Sequence, residues 1–193
     1  GWMVPTTMLH ENTSELYNRR CEFHQCKPNS AILRILSSAG ACSSSDEFVV
    51  DLSRNIIGQR GLLPLLDVVR ACSTIRGPHV ADEVDREGVI AAGEAASSHQ
   101  PSFQGKIVAL RLKANFLTND AVSLICDALE GSTTLRELDL SDNAISMPSG
   151  KRLIQFLNRT SSVVTLSVEG SLISAGLKRR LQSILDCRQQ QRT

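Results

Sequence analysis

The sequence has few aromatic residues, no dominant charge and no long apolar run. Phe, Trp and Tyr make up 4% of its 193 residues, which leaves the core to aliphatic side chains. The 21 Lys and Arg nearly balance the 20 Asp and Glu, so no overall field draws the chain to nucleic acid or anionic lipid. A run of about 18 apolar residues, long enough to span a bilayer, is missing. These absences predict one cytoplasmic, non-membrane domain of ordinary size.

Cysteine and histidine do not form a recognisable site. Six cysteines are spread along the chain without the dense pairing of a small secreted domain, which favours free thiols. Cys21, His24 and Cys26 are ligand types that suit zinc, but the second well-spaced pair of a structural site is missing. Phosphate loops, G-x-S-x-G and H-E-x-x-H sequences do not occur either. We therefore predict no catalytic residue, no metal, no cofactor and no enzymatic activity.

A regular internal repeat is the strongest feature that the sequence does contain. "LRELDLSDN" at 135–143 matches "IVALRLKAN" at 107–115 and "VVTLSVEGS" at 163–171, with apolar residues at the first, fourth and sixth positions. The ninth position is Asn in the first two segments and Ser171 in the third. "EFVVDLSRN" at 47–55 keeps two of the apolar positions and the Asn. A fixed period of about 28 residues indicates a stack of similar units.

A weaker unit lies between the clear ones. "IRGPHVADE" at 75–83 keeps two apolar positions but has Pro78 and Glu83 where the pattern requires other residues. It also carries "GEAASSHQPSFQG" at 93–105, whose Ser, Gln, Gly and Pro content predicts a loop at one edge. Whether this segment is a true repeat or an insertion stays open.

Each unit has the pattern of a strand, a turn and a helix. Leu138 and Leu140 alternate as on a short strand, and Asn143 follows where its amide can bond turn backbone groups. The next segments, "SGKRLIQFLNRT" and "NDAVSLICDALEG", place apolar residues at helical spacing. Because one unit cannot bury both faces alone, neighbouring units must stack. A doubly wound sheet also alternates strands and helices, but it lacks a fixed period of this kind.

This pattern resembles the leucine-rich repeat family, in its ribonuclease-inhibitor-like class of about 28-residue units. The resemblance implies an α/β solenoid, a short arc with parallel strands on the concave side and helices on the convex side. The upstream segment "ELYNRRCEFHQCKPNSAILRILSSAG" resembles the helical N-terminal cap of many intracellular eukaryotic repeat proteins. The expected organisation begins with a flexible segment at 1–14 and a helical cap at 15–46, and it ends with a polar tail at 188–193. Between them we expect five units, at 47–74, 75–106 (irregular), 107–134, 135–162 and 163–187.

Residues that flank the buried strand positions predict a protein-binding concave face. Five strands about 4.8 Å apart and about 15 Å long offer about 350 Å², less than the roughly 800 Å² that each partner buries in a standard interface. A stable partner would therefore also touch the rim or the helices. A solvated face whose charges pair with each other is the alternative interpretation. The predicted binding residues are Asp51, Arg54, Arg76, His79, Arg111, Lys113, Arg136, Glu137, Asp139, Asp142 and Glu169.

Three functions fit these observations, and we favour a non-catalytic protein interaction module or scaffold. The first alternative is a structural subunit of a cytoskeletal, ciliary or other large assembly, in which Lys178-Arg179-Arg180 would meet an acidic partner. The second is a regulator of an enzyme such as a small GTPase or a nuclease. All three predict protein partners and no small-molecule substrate.

Overall fold

A computed structural model describes residues 12–39, 47–73 and 106–190, which form a mixed α/β structure. The six helices of these ranges are α1 (Thr13–Phe23), α2 (Ser30–Ala39), α3 (Gly58–Ser73), α4 (Asn119–Leu129), α5 (Met147–Arg159) and α6 (Ala175–Gln190). The strands are β1 (Glu47–Asp51), β2 (Lys106–Arg111), β3 (Glu137–Asp139) and β4 (Thr165–Ser167). None of the described helices combines the length and the apolar character that crossing a bilayer requires.

The four strands form one parallel sheet in the order of the sequence, β1-β2-β3-β4. The register aligns Leu110 of β2 with Leu138 of β3, and Leu138 with Leu166 of β4. These leucines lie exactly one repeat apart in the sequence, so the predicted period is also the spacing between hydrogen-bonded neighbours. Val50 completes the row on β1.

The sheet passes over the irregular unit at 75–106, which the repeat pattern left open as a true repeat or an insertion. β1 pairs directly with β2, with Glu47 opposite Lys106, so no strand from the irregular unit lies between them. The sheet therefore takes one strand from each of four units. A central strand at this place would have lacked one ladder hydrogen bond, because Pro78 has no backbone N–H. Residues 74–105 themselves lie outside the described part of the chain.

The helices cover one side of the sheet and share one apolar core with it. Helices α3, α4, α5 and α6 pack side by side in chain order, and α1 packs on α3. Leu138 and Leu140, predicted to point inward, are fully buried, and so is Phe156 of α5. At the β1 end, Tyr17 of α1 and Ile32 of α2 join the same cluster. The cap helices thus cover the apolar end that a stack of units would otherwise expose.

Two predicted boundaries differ from the helices observed. The α1 helix begins at Thr13, before the expected start of the cap, because Asn12 and Glu15 form a capping box. The Asn12 side chain accepts from the Glu15 N–H at 2.9 Å, and the Glu15 carboxylate accepts from the Asn12 N–H at 2.9 Å. At the other end α6 continues to Gln190, so the first residues of the predicted polar tail are helical.

Candidate protein-binding face

One face of the sheet points away from the core, and we call it the open face. Side chains alternate along each strand, so the residues before and after the buried Val50, Leu110 and Leu138 point to the other side. The hydrogen-bonded register groups them into two rows that cross all four strands. These rows are Val49, Ala109, Glu137 and Thr165, and Asp51, Arg111, Asp139 and Ser167.

Arg111 lies at the centre of an ion-pair network on the open face. Its Nε and Nη2 donate to the two carboxylate oxygens of Glu137 at 2.6 and 3.1 Å, and its Nη1 is 3.6 Å from Asp51 Oδ2. The hydrogen bonds and charge of Glu137 raise the pKa of Arg111 above its ordinary value, with a smaller contribution from Asp51. Three strands are thereby linked through one guanidinium group.

Asp51 is held in its charged form by its neighbours. Burial would raise the pKa of this carboxyl group, but hydrogen bonds from Ser53 and the charge of Arg111 outweigh burial and lower it. The Ser53 N–H donates to Asp51 Oδ1 at 3.0 Å, which closes the end of β1 into a turn. Asp51, which was predicted for binding, is therefore already paired with neighbours in its own sheet.

Asp139 was expected to face a partner, but it binds the end of its own strand. Its Oδ1 accepts from the Ser141 N–H at 2.9 Å and from the Ser141 hydroxyl at 2.5 Å. Because the Ser141 hydroxyl proton is used in its bond to Asp139, Ser141 Oγ accepts a hydrogen bond from the Ser167 hydroxyl at 2.6 Å. The carboxylate thus fixes the turn after β3 and joins it to β4.

The other predicted charges divide into paired and unpaired ones. Lys113 Nζ lies 3.3 Å from Asp142 Oδ2, and Arg136 Nη2 lies 3.2 Å from Glu47 Oε1. Arg54 and Glu169 are exposed, and neither forms an ion pair with a described residue. Arg76 and His79 lie outside the described residues. Six of the eleven predicted residues are therefore already in ion pairs with other residues of the chain.

Asn143 performs the role that its position predicted. Its Oδ1 accepts from the Asn115 and Leu117 N–H groups at 2.9 and 3.0 Å, and its Nδ2 donates to the Leu112 and Leu140 carbonyls at 2.9 and 3.0 Å. The backbone of one turn is thereby held by the side chain of the next unit. This confirms the prediction that the amide satisfies turn groups that no helix or sheet reaches.

Asn115 repeats the same arrangement one unit earlier. Its Oδ1 accepts from the Asn55 and Ile57 N–H groups, both at 3.2 Å, and its Nδ2 donates to the Leu52 carbonyl at 2.8 Å. Ser171, which replaces Asn in the last unit, donates to the Val168 carbonyl of its own turn at 2.6 Å. We call the pair Asn115 and Asn143 the asparagine ladder.

Exposed apolar residues directly follow the ladder position, and the sequence predictions missed them. Ile56 follows Asn55, Phe116 follows Asn115 and Leu172 follows Ser171, with exposed fractions of 72%, 73% and 74%. The signal was present in the repeat alignment, because an apolar residue occupies the tenth position of every clear unit. We did not recognise these residues as exposed, because apolar residues at the next position, such as Ile57 and Leu117, are buried.

The cysteine and histidine cluster of the cap contributes to packing. Cys21 is buried, and burial is the largest cause that raises the pKa of its thiol to about 11. His24 Nε2 lies 2.8 Å from Asp67 Oδ2, which ties the end of α1 to α3. Within the described ranges, no three His, Cys, Asp or Glu side chains come together in a way that could hold a metal ion.

Comparison with known proteins does not identify a family, so the function is inferred from the geometry described above. No protein-family model matches the chain, and no curated protein is detectably similar to it.

Proposed function

We propose that the protein is a non-catalytic protein interaction module, built as a short leucine-rich repeat solenoid of the ribonuclease-inhibitor-like class. The register supports the solenoid, because residues one period apart in the sequence are hydrogen-bonded neighbours in the sheet. The asparagine ladder supports it as well, since each amide holds the turn of the unit before it. Such stacking of similar units, each contacting its neighbours, is what defines a solenoid.

A parallel sheet with helices along one side is the observation that carries the functional proposal. Parallel sheets are almost always covered on both faces. Here α3 to α6 pack in a row against one another, while the open face carries exposed side chains such as Val49, at 41%, and Thr165. In a solenoid, the sheet face that none of the described helices covers is the surface on which partners bind.

The paired charges of the open face favour recognition by shape over capture by charge. Arg111, Asp51 and Glu137 hold each other in place before any partner arrives. A preorganised surface loses little side-chain freedom on binding, which reduces the entropic cost of association. The partner would then contact the uncharged residues Val49 and Thr165 and leave the ion pairs of Arg111 intact.

The size of the open face requires additional contact beyond it. Four strands about 4.8 Å apart and about 15 Å long offer about 300 Å², against about 800 Å² per partner in a standard interface. The partner must therefore extend over the turns at the strand ends. This requirement is met by the exposed apolar side chains that follow the ladder position.

Affinity purification of the tagged chain from cells that express it tests the proposal. Val49→Arg with Thr165→Arg places two large charges on the open face and leaves Arg111, Asp51 and Glu137 themselves unchanged. An Arg111→Glu change would instead remove the guanidinium group and place a carboxylate beside Glu137. The control is Gln155→Arg, an exposed position of α5 on the helical side. We expect proteins that copurify with the wild type and the control to be lost with the double variant.

Two outcomes would contradict the proposal. Identical sets of proteins from the wild type, the double variant and the control would remove the open face as the binding surface. Specific copurification that only the Gln155→Arg change abolishes would assign binding to the helical side. Circular dichroism of the three proteins checks that each is folded before the comparison is made.

A further inference from the structure

We propose that the corner formed by the first halves of α5 and α6 is a docking surface for an acidic segment of the protein partner. We call this surface the basic corner, and it consists of Lys151, Lys178, Arg179 and Arg180. It adjoins the turns at the strand ends, over which a partner of the open face has to extend. The inference rests on the proposed function, because it assigns a chemistry to a further part of the same partner.

Positive charge is concentrated in the last two units. Residues 147–190, from the start of α5 to the end of α6, contain seven Lys and Arg but only two Asp and Glu. The whole chain has a net charge of +1, so the remainder is acidic overall. A charge imbalance between parts of one chain is typical of a surface that meets a partner of the opposite sign.

On the helical side, the arginines of α5 are neutralised by the unit before it. Arg152 Nη2 lies 2.5 Å from Asp127 Oδ1 of α4. Arg159 Nη1 lies 2.8 Å from Oε1 of Glu130, which directly follows α4. Basic side chains of one unit therefore reach back to carboxylates of the preceding unit.

The repeat explains why α6 lacks such partners. The residues that lie 28 positions after Asp127 and Glu130 are Gln155 and Asn158, and neither is charged. Arg180 is equivalent to Arg152, but the residue equivalent to the partner of Arg152 is Gln155. None of the four residues of the basic corner forms an ion pair within the described ranges. Their charge is therefore available to another molecule.

The four cations lie close enough together to contact one short segment. Lys151 and Arg179 are exposed at equivalent positions of α5 and α6, which pack side by side. The starts of these helices touch, since a Cβ added at Gly150 would lie 3.0 Å from Leu177 Cδ1. Packed helices are about 8–10 Å apart. An extended segment of about six residues, at about 3.3 Å per residue, spans the corner.

The cations are unfavourable for the stability of the helix that carries them. Ser174 Oγ accepts from the Leu177 N–H at 3.5 Å, so Lys178 lies at the end of the first turn of α6. That turn contains no acidic residue, whereas the first turn of α4 contains Asp120. Basic side chains near the start of a helix oppose its dipole. Placing them there is explained by a contact that needs positive charge.

Acidic residues at its borders limit the length of the molecule that fits the basic corner. Asp120 on α4, Glu169 before α6 and Asp186 about two turns further along α6 are all exposed. A long polyanion such as nucleic acid would meet these carboxylates and would gain few phosphate contacts from four cations. No aromatic residue of α6 offers a base a stacking surface. The corner therefore favours a short acidic peptide segment.

Anisotropy titration of the full chain with a fluorescein-labelled hexaglutamate peptide tests the proposal. Hexaglutamine is the neutral reference, and a hexathymidine oligonucleotide is the nucleic-acid reference of similar charge. We expect saturable binding of hexaglutamate that is tighter than the binding of either reference. The affinity should fall as the salt concentration rises, because ion pairs exposed to solvent are screened.

Loss of two cations should weaken hexaglutamate binding by about tenfold. The test variant is Arg179→Gln with Arg180→Gln, and the control is Arg54→Gln with Arg60→Gln. The control removes the same charge from two exposed arginines of the first unit, neither of which forms an ion pair with a described residue. It should leave the affinity nearly unchanged. Circular dichroism checks that both variants are folded.

Two further variants test the missing carboxylates and the cost in stability. Gln155→Glu with Asn158→Glu gives α5 the carboxylates that α4 has, and it should also weaken binding by about tenfold. Lys178→Glu should weaken binding while it raises the urea midpoint, because an acidic residue suits the first turn. A lysine kept for stability would lower the midpoint when it is replaced. Gln155→Arg, the control for the open face, should retain hexaglutamate binding.

Several results would overturn the proposal. These are a wild type that does not bind hexaglutamate at low salt, equal weakening by the test and control arginine pairs, and tighter binding of hexathymidine, which would assign the corner to nucleic acid. The acidic stretch "DEVDRE" at 82–87 of the chain itself is a competing occupant. Peptide binding that appears only after its four acidic residues are changed to amides would refute a partner as the occupant.

The open-face variant Val49→Arg with Thr165→Arg separates this inference from the proposed function. It leaves the basic corner unchanged, so hexaglutamate binding should be intact. If cellular partners depend on the open face while hexaglutamate does not bind, the proposed function stands and this inference alone fails. If hexaglutamate binds as expected while no cellular partner depends on the open face, the open face alone is refuted.

Discussion

The side-chain oxygen of Asn143 accepts a hydrogen bond from the backbone N–H of Asn115, 2.9 Å away in the neighbouring unit. Asn143 is only 2% exposed, so water has almost no access to the groups that it satisfies. The turns after β1 and β2 therefore each depend on a side chain supplied by the unit that follows.

Replacing Asn143 by Ala should lower the free energy of unfolding by about 3 kcal/mol, because several buried backbone groups lose their partners at once. Urea denaturation followed by circular dichroism measures the loss. Ser171→Ala is the matched control, since Ser171 bonds its own turn, and it should cost about 1 kcal/mol or less. A larger loss from Ser171→Ala than from Asn143→Ala would refute the role assigned to the ladder.

Deleting one whole unit should leave a cooperative fold if the array is a solenoid. We expect removal of residues 135–162, combined with Ser171→Asn to restore the ladder amide, to retain a single urea transition, because equivalent units present equivalent faces. The urea m-value should fall by roughly a seventh, in proportion to the chain removed.

A shorter deletion, of residues 135–148, provides the control for the unit deletion. It removes β3 and its turn but leaves most of α5 without a strand, so it should abolish the transition although fewer residues are lost. Cooperative unfolding of the shorter deletion, or its loss in the longer one, would argue for a single non-repetitive domain.

Phe116 has a left-handed backbone conformation, with φ at 56°. Changing it to Asn should raise the free energy of unfolding by about 1 kcal/mol, because asparagine tolerates this conformation better than phenylalanine does. Little burial is lost, since Phe116 is 73% exposed. Thermal and urea denaturation measure the change, with Phe23→Asn in α1 as the control that should not stabilise. A destabilised Phe116→Asn protein would mean that the side chain packs against the fold and is not held for a partner.

The Asp51 carboxyl group should make the free energy of unfolding depend on pH in the acidic range. Its pKa is lowered in the folded protein, so its contribution is present above the ordinary value of 3.8 and is lost as pH falls through the folded value. The side chain is 48% exposed, which limits the effect to less than about 1 kcal/mol.

Comparison with Asp51→Asn isolates this contribution. The stability difference between the two proteins should be constant near neutral pH and should shrink below pH 3.8. In an Arg111→Gln background the difference should be smaller throughout, since Arg111 supplies part of the stabilisation. A difference that grows with acidity would contradict the assignment.

Local pattern was sufficient for the strands and helices of the four clear units. Alternating Leu138 and Leu140 predicted a strand with an inward face, and the upstream segment, expected to be helical, contains α1 and α2. The repeat period predicted that β2, β3 and β4 are neighbours, because units of equal length stack with equivalent positions adjacent. These features depend on residues close in sequence or on simple repetition.

The charge network depended on geometry that the repeat alignment does not contain. The register places Arg111 opposite Asp139, yet the guanidinium binds Glu137 on the diagonal, and Asp139 turns back to Ser141. Long side chains can reach either neighbour, so only their packing in three dimensions selects one.

The sequence by itself determined the alternation of strands and helices, the inward leucines and the ladder position, because each follows from local periodicity. Only the tertiary structure decided that β1 meets β2 across the irregular segment and that Ile56 and Phe116 project outward. Both depend on hydrogen bonds between residues far apart in the sequence, such as Ile57 with Asn115. Apolar residues at these turns look like core residues until the neighbouring amide shows which way the backbone must curl.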